Sequence, residues 1–183
     1  MSAHSIEGGS PPCAFQVPLS YLVGAQPNSV AQADFNGDGD PDLAVASVAS
    51  GDVTILLGRG DGTFEAPVSY PSAQTAFAVA VADFNGDSRL DLAVANVAPG
   101  TVSILLGNGN GTFAAGIAYA AGTQPVSVAT GDFNGDNRQD LAVANTLGNN
   151  VSILLGNGNG TFQGAVNYAV GIEPTSVAVA DLN

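Results

Sequence analysis

Asp34-Phe35-Asn36-Gly37-Asp38-Gly39-Asp40-Pro41-Asp42-Leu43-Ala44-Val45 decides the fold, because the chain returns to it at a fixed interval. It recurs as Asp83-Phe84-Asn85-Gly86-Asp87-Ser88-Arg89-Leu90-Asp91-Leu92-Ala93-Val94. It recurs again as Asp132-Phe133-Asn134-Gly135-Asp136-Asn137-Arg138-Gln139-Asp140-Leu141-Ala142-Val143, and a fourth copy opens at Asp181-Leu182-Asn183. Each copy starts 49 residues after the last. Self-similarity at such a period marks a repeat array, with one supersecondary unit per copy.

Within the copies, oxygen-bearing side chains fall at loop positions 1, 3, 5 and 9. They are Asp34, Asn36, Asp38 and Asp42, then Asp83, Asn85, Asp87 and Asp91, then Asp132, Asn134, Asp136 and Asp140. A tight loop turns alternate residues inward, and carboxylate and amide oxygens are the ligands calcium prefers. Position 7 varies (Asp40, Arg89, Arg138), as expected of a ligand that offers its backbone carbonyl. The loop is not an EF-hand, which needs a bidentate Glu at position 12 where this chain has Val45, Val94 and Val143. Asn-Gly and Asp-Gly form turns unaided, so one copy would be an ordinary Asx-rich turn. Three in-register copies that keep all four positions favour bound Ca²⁺.

Composition narrows the function classes. Three Arg and no Lys stand against 16 acidic residues, for a formal charge of −13. Nucleic acid and anionic membrane surfaces both require a cationic footprint and are therefore poor partners: neither nucleic-acid binding nor membrane insertion is expected. Nine carboxylates sit at loop positions 1, 5 and 9, so three bound Ca²⁺ would bring the charge to −7. Cys13 is the only cysteine, which excludes an intrachain disulfide. No apolar run approaches the length of a membrane-spanning helix. Residues 1–14 lack the basic and apolar regions of a secretory signal and read as a leader or flexible arm.

Residues 15–183 divide into units of about 15–63, 64–112 and 113–161 and a partial unit 162–183. Ser29–Ala33, Phe77–Ala82, Ser127–Thr130 and Ser176–Ala180 are small, uncharged strands leading into the acidic loops. Each loop exits into a Leu-Ala-Val-Ala strand. A third strand follows at Val53–Leu57, Val102–Leu106 and Val151–Leu155. It ends in Gly58-Arg59-Gly60-Asp61-Gly62-Thr63-Phe64 or in two Gly-Asn-Gly-Asn-Gly-Thr-Phe turns, whose three glycines are expected to supply positive-φ hairpin positions. The Phe is expected to start strand four, Phe64–Tyr70, Phe113–Tyr119 or Phe162–Tyr168. Pro67 marks that strand as a sheet edge. The units are thus four-stranded antiparallel meanders without helix. Ala and Val on both faces of strands one to three imply that neighbouring units cover both faces. Radial stacking of four-stranded sheets does this in a β-propeller.

The Asp-Phe-Asn-Gly-Asp loop, the Leu-Ala-Val exit and the Gly-Asn-Gly-Asn-Gly-Thr-Phe hairpin closely resemble FG-GAP/VCBS repeats, the propeller repeats also found in integrin α subunits. The resemblance covers residues 15–183. It implies a propeller, usually of seven blades, with calcium in the hairpin loops and an extracellular or cell-surface setting. Ser88 and Asn137 depart from the Gly common at their position. About three and a half blades are present: a lone fourth strand (Phe15–Tyr21), three complete blades and a lone first strand (Ser176–Ala180).

Arg59-Gly60-Asp61 spells an adhesion tripeptide, but its counterparts Asn108-Gly109-Asn110 and Asn157-Gly158-Asn159 mark the slot as a turn. Asn110, Asn159 and Asn150 open formal glycosylation sequons, two of them in the same turns. Catalysis is poorly supplied. His4 and Cys13 lie in the leader and Lys is absent, so the common nucleophile–base pairs are missing from the repeats. The sequence therefore reads as a non-enzymatic, extracellular calcium-binding propeller module with a structural or adhesive role, a segment of a longer propeller. The alternatives are a protomer of a head-to-tail ring or filament, and a glycan-binding lectin-like module. The absence of Trp disfavours the lectin. Expected partners are calcium, further blades or other copies of the chain, and a surface protein or glycan.

Overall fold

The computed structural model describes residues 18–181. Residues 1–17, with His4, Cys13 and the start of the first expected strand, and Leu182-Asn183 lie outside the described residues. The rest forms three sheets of four antiparallel strands. The first holds β1 (Pro27–Ala33), β2 (Asp42–Ser47), β3 (Asp52–Leu56) and β4 (Val68–Pro71). The second holds β5 (Ala76–Ala82), β6 (Asp91–Asn96), β7 (Thr101–Leu105) and β8 (Ile117–Ala120). The third holds β9 (Pro125–Gly131), β10 (Asp140–Asn145), β11 (Asn150–Leu154) and β12 (Val166–Ala169). In each sheet the order follows the chain, so every blade is a simple meander.

Side chains alternate across a strand, and in β6 that alternation divides two cores. Leu92 and Val94 pack toward the first blade, against Ala44, Ala46, Val53 and Ile55. Ala93 and Ala95 face the third blade and meet Leu141 and Val143 of β10. Large residues of one blade thus press on the small face of the blade before it. That is why these strands show no polar side.

Three expectations are corrected. Phe64, Phe113 and Phe162 do not start strand four; each makes one isolated bridge, to Gly58, Gly107 and Gly156. Regular pairing resumes only at Val68, Ile117 and Val166, opposite Ile55, Ile104 and Ile153. Second, only two glycines per hairpin have positive φ: Gly60 and Gly62, Gly109 and Gly111, Gly158 and Gly160. Gly58, Gly107 and Gly156 are needed for another reason. A Cβ on any of them would run into the backbone oxygen of Pro41, Leu90 or Gln139. Third, neither Pro18–Tyr21 nor Ser176–Ala180 forms a ladder, since the strands they would pair with are not among the described residues. Both still occupy blade-like places. Tyr21 packs edge-on against Phe64 at 5.4 Å, and Val177 N donates to Ser127 Oγ just as Val79 N donates to Ser29 Oγ.

Candidate metal-binding loops

The three acidic loops lie at the same end of their blades, between strands one and two, and share one hydrogen-bond plan. At position 1, Asp34 accepts Gly37 N on Oδ1 (2.7 Å) and Gly39 N on Oδ2 (2.8 Å). Asp83 does the same with Gly86 and Ser88, and Asp132 with Gly135 and Asn137. The amide of Asn36, Asn85 or Asn134 takes the N–H of position 5 on Oδ1 and donates through Nδ2 to the position 5 carboxylate. Asp38, Asp87 and Asp136 in turn accept the N–H of position 7 on Oδ1. Positions 1, 3, 5 and 7 of each loop are therefore brought together.

Position 9 is placed differently. Asp42, Asp91 and Asp140 are fully buried at the first residue of strand two. One oxygen of each accepts the N–H of the loop Phe (Phe35, Phe84, Phe133) and the other the N–H of the hairpin Gly (Gly58, Gly107, Gly156). This carboxylate clips the loop to the strand-three hairpin. Sequence reasoning missed that role. The sequence signals only that this carboxylate must be paired, since position 9 directly precedes Leu-Ala-Val, inside a strand where an unpaired carboxylate could not be buried; it does not name the partner.

Electrostatics separate Asp34 and Asp132 from Asp91. The Gly39 N–H, with help from Gly37, holds Asp34 below its ordinary value of 3.8, and the Asn137 and Gly135 N–H groups do the same for Asp132. Stability from these two groups is present above pH 3.8 and is lost as pH falls through their folded values. Burial pushes Asp91 the other way, against the pull of the Gly107 and Phe84 N–H groups. Its carboxylate therefore costs stability as pH rises above 3.8.

Position 7 distinguishes the loops. Arg89 and Arg138 reach the position 5 carboxylates Asp87 and Asp136 at 3.9 Å, both ion pairs being half exposed. Asp40 stands there in the first loop and adds a carboxylate instead. Position 6 needs positive φ in every copy: Gly39 at 87°, Ser88 at 65° and Asn137 at 61°.

Among the described residues no three Asp, Glu, His or Cys groups converge into a ready-made metal cluster. The chemistry of the donor set nevertheless fits a hard cation. It consists wholly of oxygens, and a carboxylate oxygen that accepts one N–H keeps a second lone pair. The Arg59-Gly60-Asp61 stretch is a turn like its counterparts. Asp61 Oδ1 accepts Thr63 N and Oγ1, as Asn110 accepts from Thr112 and Asn159 from Thr161.

The family model for the FG-GAP-like repeat matches residues 34–94, 83–143 and 132–183. The chain belongs to the FG-GAP-like repeat family. No curated protein matches it. Among solved structures, BBS1N in complex with ARL6DN has a TM-score of 0.61 at 21% identity, over 92% of this chain and 51% of that one. An Agrocybe aegerita lectin that recognises non-reducing terminal N-acetylglucosamine has a TM-score of 0.51 at 24% identity, over 74% of this chain and 36% of that one. At these identities the likeness is one of fold. This FG-GAP chain is a β-propeller module, and it spans about half of one of those solved chains and about a third of the other.

Proposed function

We propose that the module binds Ca²⁺ in its three acidic loops and serves as a structural or adhesive scaffold in an extracellular setting. The observation that carries this reading is the threefold recurrence of one all-oxygen loop with one hydrogen-bond plan. Asp34, Asn36 and Asp38, and their equivalents at 83, 85 and 87 and at 132, 134 and 136, would hold the ion by side chains. Asp40, Arg89 and Arg138 would contribute backbone carbonyls. Asp42, Asp91 and Asp140 would anchor the site from below. A bound cation neutralises carboxylates that otherwise repel one another and tightens the hairpin it sits in. In this reading it is structural. The chain needs no catalytic step, in keeping with the supply of side chains described above. No helix among the described residues is long and apolar enough to cross a membrane. Isothermal titration of the chelator-treated chain with CaCl₂ tests the reading: three sites per chain support it, and no binding at millimolar calcium overturns it.

A second reading, glycan binding, is favoured by one feature. A cleft of about 500 Å³ between the second and third loops is lined by Asp83, Thr130, Asn137, Arg138 and Gln139. Its donors and acceptors suit hydroxyl groups. A glycan array run with and without calcium separates this reading from a purely structural role.

A further inference from the structure

Seven Asn-Gly pairs recur in the repeats, three in the acidic loops and four in the second and third hairpins. Such a pair is open to an internal reaction, because glycine carries no side chain to shield its backbone nitrogen. That nitrogen attacks the Asn Cγ and forms a C–N bond, the Cγ–Nδ2 bond breaks, and Nδ2 leaves as ammonia. Water then opens the resulting succinimide to aspartate or isoaspartate. The reaction needs a free glycine N–H and a side-chain amide that can turn toward it. The hydrogen bonds of each pair therefore decide its fate.

In the loops both requirements fail. Gly37, Gly86 and Gly135 donate their N–H to Oδ1 of Asp34, Asp83 and Asp132, each at 2.7 Å. Asn36, Asn85 and Asn134 are tied to position 5 through both amide atoms. In the later pair of each hairpin, Gly111 and Gly160 donate to the Phe35 and Phe84 carbonyls at 2.9 Å. Asn110 and Asn159 accept from Thr112 and Thr161. These five pairs can react only after local opening.

Asn108-Gly109 and Asn157-Gly158 are held differently. Gly109 N and Gly158 N have no acceptor among the described residues. Asn108 and Asn157 are exposed. Nδ2 of each donates to the Thr112 or Thr161 hydroxyl at 2.9 Å, a surface bond that water can replace. We infer that Asn108 and Asn157 are sites of self-modification, where the folded chain deamidates to aspartate or isoaspartate. Each event adds a negative charge one residue before a glycine that lies against the Arg89 or Arg138 side chain. The first hairpin has Arg59 in this place and lacks the site.

The test incubates the full chain in mildly alkaline buffer, beside a sample unfolded in guanidinium chloride, until the unfolded sample has reacted at all seven pairs. Tandem mass spectrometry of the peptides follows each Asn. The folded chain should convert Asn108 and Asn157 severalfold faster than the other five, whereas the unfolded sample should convert all seven at similar rates. Asn108→Gln should remove the fast event from the second hairpin and leave Asn157 unchanged, because the longer side chain closes a larger ring far more slowly. Circular dichroism confirms that the variant is folded. A folded chain in which Asn110, Asn159 or a loop Asn converts as fast as Asn108 overturns the inference. So does a folded chain that stays unmodified at Asn108 and Asn157.

Discussion

The second and third blades carry the same strand-two sequence, Asp-Leu-Ala-Val-Ala-Asn, buried alike in both, and the same Asp-Phe-Asn-Gly-Asp loop, whose Phe is buried in one and exposed in the other. Leu92, Val94, Leu141 and Val143 are all buried, because each faces a preceding blade that is present. Phe84 is sealed by Phe162, while among the described residues no hairpin covers Phe133. A blade of this kind has no core of its own. Its core is formed between blades, as expected of arrays whose repeats contact only their neighbours.

The largest expected effect tests that contrast directly. Phe84→Ala should cost about 3–5 kcal/mol as a buried aromatic truncation, and Phe133→Ala clearly less, because its ring is already 39% exposed. Urea denaturation of both variants checks this, and equal costs would break the comparison. The next effect should ignore the contrast. Asp91→Asn and Asp140→Asn each replace an acceptor oxygen with an NH₂ facing a buried backbone N–H, at a cost of about 1–3 kcal/mol. Because the clip lies within one blade, the two losses should agree; a large difference would show that the neighbouring blade supports it.

A smaller effect sharpens the comparison at the opposite end of the blades. In the second blade, buried Asn96 donates to Ser103 Oγ (2.9 Å) and accepts from Ser72 Oγ (2.9 Å). In the third, Asn145 donates to Ser152 Oγ (2.6 Å), but its Oδ1 has no partner because Ala121 replaces the serine. Ala121→Ser should raise stability by about 1 kcal/mol by supplying that hydroxyl. Thermal melts check the sign.

Much of this was legible in the sequence. The 49-residue period, the strand order and the two-sided Ala/Val pattern lead to four-stranded blades, because burial on both faces leaves its mark on every residue of a strand. The acidic loops were legible too, through their fixed spacing. What could not be read was contact between segments distant in the chain. Nothing local to Asp42, Asp91 or Asp140 says that the second oxygen reaches a glycine 16 residues away. The hairpin glycines were misjudged for the same reason. Gly58, Gly107 and Gly156 answer a close backbone approach from the acidic loop, not a turn. The start of strand four was placed too early because Phe64 and its equivalents have strand-like composition but spend their side chains on the neighbouring blade.

Calcium is the central claim, and its most direct test is the melting temperature of the full chain in EDTA and in millimolar CaCl₂. At tenfold saturation each site adds about 1.4 kcal/mol by mass action. The account predicts a clear rise in Tm with calcium, and a smaller rise for Asp87→Ala, which removes a ligand from the second loop only. A melt identical in EDTA and calcium would contradict the account.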